Sequence, residues 1–272
     1  MFFLNIVNLH KKGQPIISTE YARMKLNMKP ITKEKIAEYV EKNIPEFHRN
    51  RIEKLRKLKL KAVLKRKNPY LFKVKHITTA GDFIKTILDA HLSSQEETLF
   101  GGFLEGLAIY ISNYVYHGSK SSAEGIDLEL EKDSAKYIIS IKSGPNWGNS
   151  SQIKKMKDNF RKAKRILGTN IASSLNVVAV NGCCYGKDNN PDKGEYLKLC
   201  GQRFWAFVSG DDNLYTEIIE PLGHRAKEKN DQFFEEYSKV INKFSLEFME
   251  MFCDSTGAIH WEKVIQFNSG KE

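Results

Sequence analysis

The chain has no apolar run near the roughly 18 residues that a membrane-spanning helix needs, so no membrane role is expected. Cysteine is scarce. Cys183, Cys184, Cys200 and Cys253 are too few, in 272 residues, for the disulfide framework of a secreted protein, and a reducing cytoplasm is the expected compartment. There is also no Cys-x-x-Cys pair, and adjacent cysteines rarely complete a zinc tetrahedron. Cys183, Cys184 and Cys200, with His224 as a fourth candidate, therefore read as packed free thiols rather than a zinc site. The apolar start, Met1 to Leu9, lacks both a basic segment before it and a small-residue cleavage site after it, so it is not read as a signal peptide. No internal repeat and no low-complexity linker interrupts the chain.

Acidic residues are missing from one stretch in particular. Residues 49–75 hold twelve lysines and arginines, among them Arg56, Lys65, Arg66 and Lys67, against a single acid, Glu53. The rest of the chain is close to neutral, so nearly all of the net charge of +10 lies in this block. Such a block is an electrostatic footprint for a polyanion, and nucleic acid is the usual one. At this length the chain can bury a full core, and its 41% hydrophobic and 28% charged content is that of an ordinary globular protein.

Helical spacing predicts a helix from Lys33 to about Asn43, capped by Thr32, and a basic helix from Phe47 to Lys67 that stops at Asn68-Pro69. Further helices are expected over 79–92 and 95–116. The second of these is apolar on most faces, and Glu105 is its only charge beyond the first turn, a costly placement unless the acid is paired or binds a metal. A hairpin over 125–142, a loop from Gly144 to Ser150, a basic helix over 151–167 and a buried strand from Leu175 to Val180 follow. Residues 183–202 read as a loop, 203–208 as a strand or short helix, 225–252 as a long amphipathic helix, and 255–272 as a tail that frays.

The hairpin carries the chemistry. Asp127 opens one strand and Lys142 closes the next, which puts a carboxylate and an ammonium side by side on an otherwise apolar sheet. Phosphodiester hydrolysis needs a divalent cation to offset charge at the phosphate and to acidify a water. Mg²⁺ takes one or two carboxylates plus waters and phosphate oxygens. Asp127, Glu105 and the Ile141 carbonyl supply such a set, with Lys142 beside the water.

In these residues the chain resembles the PD-(D/E)xK nuclease superfamily. Over 28–250 it is similar to a family of type II restriction endonucleases. The likeness is carried by Lys67–Phe72, Gly125–Glu129, Ser140–Gln152 and Gly201–Trp205. It implies an α/β fold with a restriction-endonuclease-like core, a mixed sheet flanked by helices, and a basic helical N-terminal region. It also implies Mg²⁺-dependent cleavage of double-stranded DNA at a short sequence, leaving 5′-phosphate and 3′-hydroxyl ends, by a homodimer paired with a cognate DNA methyltransferase. Asp127 matches the superfamily's metal-binding aspartate and Lys142 its catalytic lysine. Ser140 departs from the pattern, because an acid is expected there. Glu105 is the candidate replacement, and Glu129, on the same strand face as Asp127, is the alternative. Lys120, Asn146, Trp147, Asn149, Ser151 and Gln152 are the candidate DNA contacts, with helix capping as the other reading of Gln152. The division that follows is an N-terminal extension (1–27), a basic helical DNA-binding region (28–94), a nuclease core (95–182) and a supporting or dimerising region (183–272). Two rival readings remain: a structure-specific repair or junction nuclease of the same superfamily, and a non-catalytic DNA-binding protein on a degenerate nuclease fold.

Overall fold

The structure, a computed structural model, describes residues 30–170 and 176–271. The N-terminal extension and Leu175 lie outside these residues. Helix α1 (Lys33–Arg56) starts at Thr32, whose hydroxyl accepts a hydrogen bond from the Lys35 amide at 3.4 Å. It is one helix where the sequence suggests two. Pro45 costs one backbone hydrogen bond, but the buried residues Ile36, Val40, Ile44 and Leu55 continue on both sides of it.

The expected helix to Lys67 instead breaks before α2 (Leu60–Leu64). In a continuous helix Leu55 and Leu64 would point about 180° apart. The break lets both enter the same apolar cluster. Helix α3 (Pro69–Val74) follows. Asn68 caps it, its side-chain oxygen accepting from the Tyr70 amide at 3.0 Å, and Pro69 sits in the first turn, where a missing N–H costs nothing.

Helix α4 (Ala80–Tyr116) merges the two helices expected over 79–92 and 95–116 and crosses the 94/95 boundary without a break. Ser93-Ser94 contains neither glycine nor proline to stop it, and Leu92, Phe103 and Leu104 continue its buried side. It ends at His117, in the left-handed conformation at φ 56°.

The sheet comprises β1 (Ser119–Lys120), β2 (Leu128–Lys132), β3 (Ala135–Lys142), β4 (Asn176–Cys183) and β5 (Leu197–Cys200), adjacent in that order. Strands β1, β2 and β3 are antiparallel, while β3, β4 and β5 are parallel, so the sheet is mixed. The hairpin turn is Asp133-Ser134. Both residues have positive φ (51° and 57°), the twist that a two-residue connection needs. Helix α5 (Ser150–Asn170) joins β3 to β4.

Residues 201–271 form α6 (Gln202–Ser209), α7 (Leu214–Glu217), α8 (Ile219–Leu222), α9 (Ala226–Phe252) and α10 (Trp261–Ser269). Two expectations change here. The 183–202 loop contains β5, because Leu197–Cys200 extends the sheet beside β4. The tail does not fray: Val264 of α10 is buried in a cluster with α2, α3, the first half of α4, and α9.

Among the described residues, three apolar clusters hold the fold. One packs α1, α6 and the second half of α4 on one sheet face through Leu128, Leu130, Ile139 and Ile141. A second packs α5 on the opposite face through Ile126, Ile138, Met156, Phe160 and Ala179. The third is the helical cluster around α2, α3, α9 and α10. No described helix is long and apolar enough to cross a membrane.

Candidate active site

Strand β2 begins at Leu128, but β3 continues three residues past its pairing partner Ile139, to Lys142. The Ile141 amide therefore has no strand partner on that side, and a buried N–H must find one. Asp127 supplies it: Oδ2 accepts from the Ile141 N–H at 2.6 Å, and the Ser140 hydroxyl points to the same oxygen at 3.5 Å. The Asp127 amide donates to the Ile139 carbonyl at 2.8 Å, which fixes the carboxylate at the hairpin's open end. Gly125 sets the approach, with φ +72° and Asn159 of α5 packed where a side chain would stand. Lys142 Nζ lies 3.8 Å from Asp127 Oδ2, and both side chains keep a partial opening to solvent.

Lys142 is also held from the other side. Its ammonium lies 5.4 Å from the centre of the Trp147 ring, a cation–π distance. The Trp147 indole N–H donates to Asn181 Oδ1 at 3.1 Å, and Asn181 Nδ2 donates to the Ser140 carbonyl at 3.2 Å. Asn181 is 1% exposed and pairs with Ser140 in the β3–β4 register. The loop after Lys142 is pinned by the Cys184 amide on the Lys142 carbonyl, the Tyr185 amide on the Ser143 carbonyl, and Lys198 Nζ on the Pro145 carbonyl. Tyr185 lies over Gly144, where any Cβ would collide with its ring.

Glu105 reaches this cluster from α4. One turn earlier, Gly101 faces Ser143 so closely that an added Cβ would lie 3.4 Å from the Ser143 Cβ. The Glu105 carboxyl is pushed above the usual carboxylate range, first by burial and then by the Asp127 charge, while Lys120 and Lys142 act in the opposite direction. Glu129 is differently engaged: one oxygen accepts from the Ser121 hydroxyl at 2.7 Å and the other pairs with Lys136 at 2.9 Å.

The remaining candidates divide. Asn149 and Gln152 form a reciprocal capping box at the start of α5: the Asn149 amide donates to Gln152 Oε1 at 2.9 Å and the Gln152 amide to Asn149 Oδ1 at 3.0 Å. Asn146, Ser151 and Lys120 are exposed, the first two on either side of Asn149 after β3 and the third at the end of β1, paired with Leu128. Arg56 lies elsewhere, donating to Glu236 of α9 at 2.9 Å, and Lys65, Arg66 and Lys67 lie between α2 and α3. The cysteines are free. Cys183, Cys184 and Cys200 are buried, and burial, helped by the Glu105 charge, pushes the Cys184 thiol up to about 12. His224 faces Glu41 at 3.5 Å.

The sequence reading missed Asn181. Its signal is a lone amide ending the apolar run Val177 to Val180, directly before Gly182.

The mixed sheet, the flanking helices and the acid–lysine cluster at the hairpin's open end define an α/β protein of the restriction-endonuclease-like class. Residues 34–230 match the family described as type II restriction endonuclease EcoO109I, and the chain belongs to that family. It is accordingly a site-specific deoxyribonuclease, a hydrolase whose substrate is DNA. No curated protein matches the chain.

Proposed function

We propose that this chain cuts both strands of duplex DNA at a short specific sequence in a Mg²⁺-dependent reaction at the Asp127–Lys142–Glu105 cluster. The observation that carries the reading is the convergence on Asp127 Oδ2 of the Ile141 amide at 2.6 Å and Lys142 Nζ at 3.8 Å, with Glu105 close enough to feel both charges. The donor chemistry fits Mg²⁺. Asp127 and Glu105 supply hard carboxylate oxygens. The Ile141 carbonyl leaves the strand on the same side as its amide, toward Asp127. Among the described residues no three His, Cys, Asp or Glu side chains are grouped to hold a metal by themselves. Waters and phosphate oxygens would complete the coordination, which is the usual habit of Mg²⁺.

When bound, the metal offsets phosphate charge and lowers the pKa of a water. Asp127 and Glu105 would hold it, and Lys142, fixed between Asp127 and Trp147, would orient the water that attacks phosphorus. The new P–O bond forms as the bond to the 3′ oxygen breaks, leaving a 3′-hydroxyl on one fragment and a 5′-phosphate on the other. Glu105 is the second acid that Ser140 does not provide, since both oxygens of Glu129 already have partners. Lys120, Asn146, Ser151 and the outward amide groups of Asn149 and Gln152 ring the opening and contact the DNA. A two-fold dimer suits a symmetric site, and a methyltransferase of the same specificity would protect the host.

Digestion of a sequenced phage genome with Mg²⁺, with the ends mapped, tests this reading. Discrete fragments ending in one shared sequence support it. Cutting confined to flaps or junctions would instead make the chain a structure-specific nuclease.

A further inference from the structure

The basic block of residues 49–75 is two surfaces of different character. In the α1 half, Arg49, Arg51, Arg56 and Lys57 each face a carboxylate: Glu46 and Glu53, Glu96, Glu236, and Glu53 respectively. From Lys59 to Lys75 there are seven lysines and arginines and no acid. Lys59, Lys61, Arg66, Lys67, Lys73 and Lys75 have no carboxylate partner among the described residues. The same segment buries Leu60, Val63, Leu64 and Phe72 but exposes three apolar side chains. Tyr70, Leu71 and Val74 of α3 are 58%, 48% and 83% exposed, on the helix whose inward residues are Pro69 and Phe72.

We propose that α2 and α3 form a second duplex-DNA docking surface, separate from the catalytic cluster. In it the cations bind backbone phosphates, and Tyr70, Leu71 and Val74 press into the minor groove. This rests on the reading of the chain as a DNA-cutting enzyme. Phosphates would neutralise an acid-free cationic segment, and apolar wedges flanked by basic residues are a recurrent way to grip the minor groove. A second copy of the chain is a poor occupant, because a two-fold contact would set this all-cationic surface against itself.

The fold also sets the distance. Phe72 packs edge-on against Phe83 at 5.4 Å, and both Phe83 and Glu105 belong to α4. At 1.5 Å per residue they are about 33 Å apart along the helix, which is about ten base pairs or one turn of duplex. The docking surface therefore meets the DNA about one turn from the scissile phosphate.

The test compares binding to two duplexes of arbitrary sequence, one of about 8 base pairs closed by a hairpin loop and one of about 40 base pairs, with Ca²⁺ in place of Mg²⁺ and over a salt series. The shorter one cannot span both surfaces. Replacing Arg66, Lys73 and Lys75 together with alanine is expected to lower the salt slope on the long duplex by about 2 to 3. The same replacement should change the slope on the short duplex far less. Replacing Tyr70, Leu71 and Val74 together with serine should weaken long-duplex binding about tenfold or more while leaving the salt slope and the melting temperature near wild type. Unchanged long-duplex binding in both variants, with a wild type that cuts, overturns the docking proposal alone. So does a serine variant that alters only the oligomeric state. A wild type that shows the expected binding differences but never cuts overturns the catalytic reading alone.

Discussion

At the scale of single residues the site turns on one oxygen, Asp127 Oδ2, which answers both an orphaned strand amide and the Lys142 ammonium. The sequence makes Asp127 and Lys142 legible because the first opens one apolar run and the second closes the next. Glu105 is legible because it is the only charge beyond the first turn of the helix expected over 95–116. What separates Glu105 from Glu129 is partnership, which the sequence does not display: Glu129 is held by Ser121 and Lys136, while the Asp127 charge helps burial to push the Glu105 carboxyl above its ordinary range. Glu105→Gln should therefore abolish cutting while the protein stays folded. Glu129→Gln should keep cutting and lose about 1 kcal/mol of stability, as read by urea unfolding alongside a plasmid assay. The reverse pattern would assign the second acid to the strand. The amide that ends the Val177–Val180 run marks Asn181 in the sequence but not its role, which depends on the parallel register that sets it beside Ser140. Asn181→Leu leaves the half-buried Trp147 N–H without its acceptor, at a cost of about 1 kcal/mol. It should also slow single-turnover cleavage while DNA affinity stays near wild type, because Lys142 loses the support of Trp147 rather than any contact with DNA.

At the scale of elements, the hairpin and the strand after it could be read from alternation and from the polar turn, and β3, β4 and α5 fall close to where pattern places them. The helices were less legible. Pro45 and Ser93-Ser94 look like boundaries, yet tertiary burial of Ile44, Leu55 and Leu92 keeps the chain helical through both. The start of α5 holds the reverse case, since Asn149 and Gln152 serve the helix first through their capping box. Gln152→Glu preserves a capping-box side chain but places a negative charge at the opening. Thermal stability should stay near wild type while DNA affinity falls. Asn149→Ala should instead cost about 1 kcal/mol of stability. If Gln152→Glu binds DNA as tightly as wild type, this end of α5 does not face the substrate.

At the scale of the whole molecule, the charge of +10 is distributed by the fold in a way composition cannot show. Glu96 and Glu236, far away in sequence, return to neutralise α1, and the excess is left on α2 and α3. Glu236 links α9 to α1. Hydrogen bonds from Arg56 and Lys239 hold its carboxyl at about 2, below the ordinary 4.5. A folded-state value below the unfolded one stabilises the protein above about pH 4.5, and that contribution is lost as the pH falls toward about 2. The melting-temperature gap between wild type and Glu236→Gln should thus be widest above about pH 5, narrow below it, and close only at about pH 2. A gap that widens on acidification would contradict the pairing.

The central claim is that Asp127 and Lys142 are the chemical centre of a DNA-cutting enzyme. The most direct measurement is plasmid cleavage with Mg²⁺ by wild type, Asp127→Ala and Lys142→Ala, with binding of the same DNA measured in parallel. The expected result is discrete fragments from wild type alone and DNA binding by all three proteins. Cutting that persists in both variants would place the chemistry elsewhere and contradict the account.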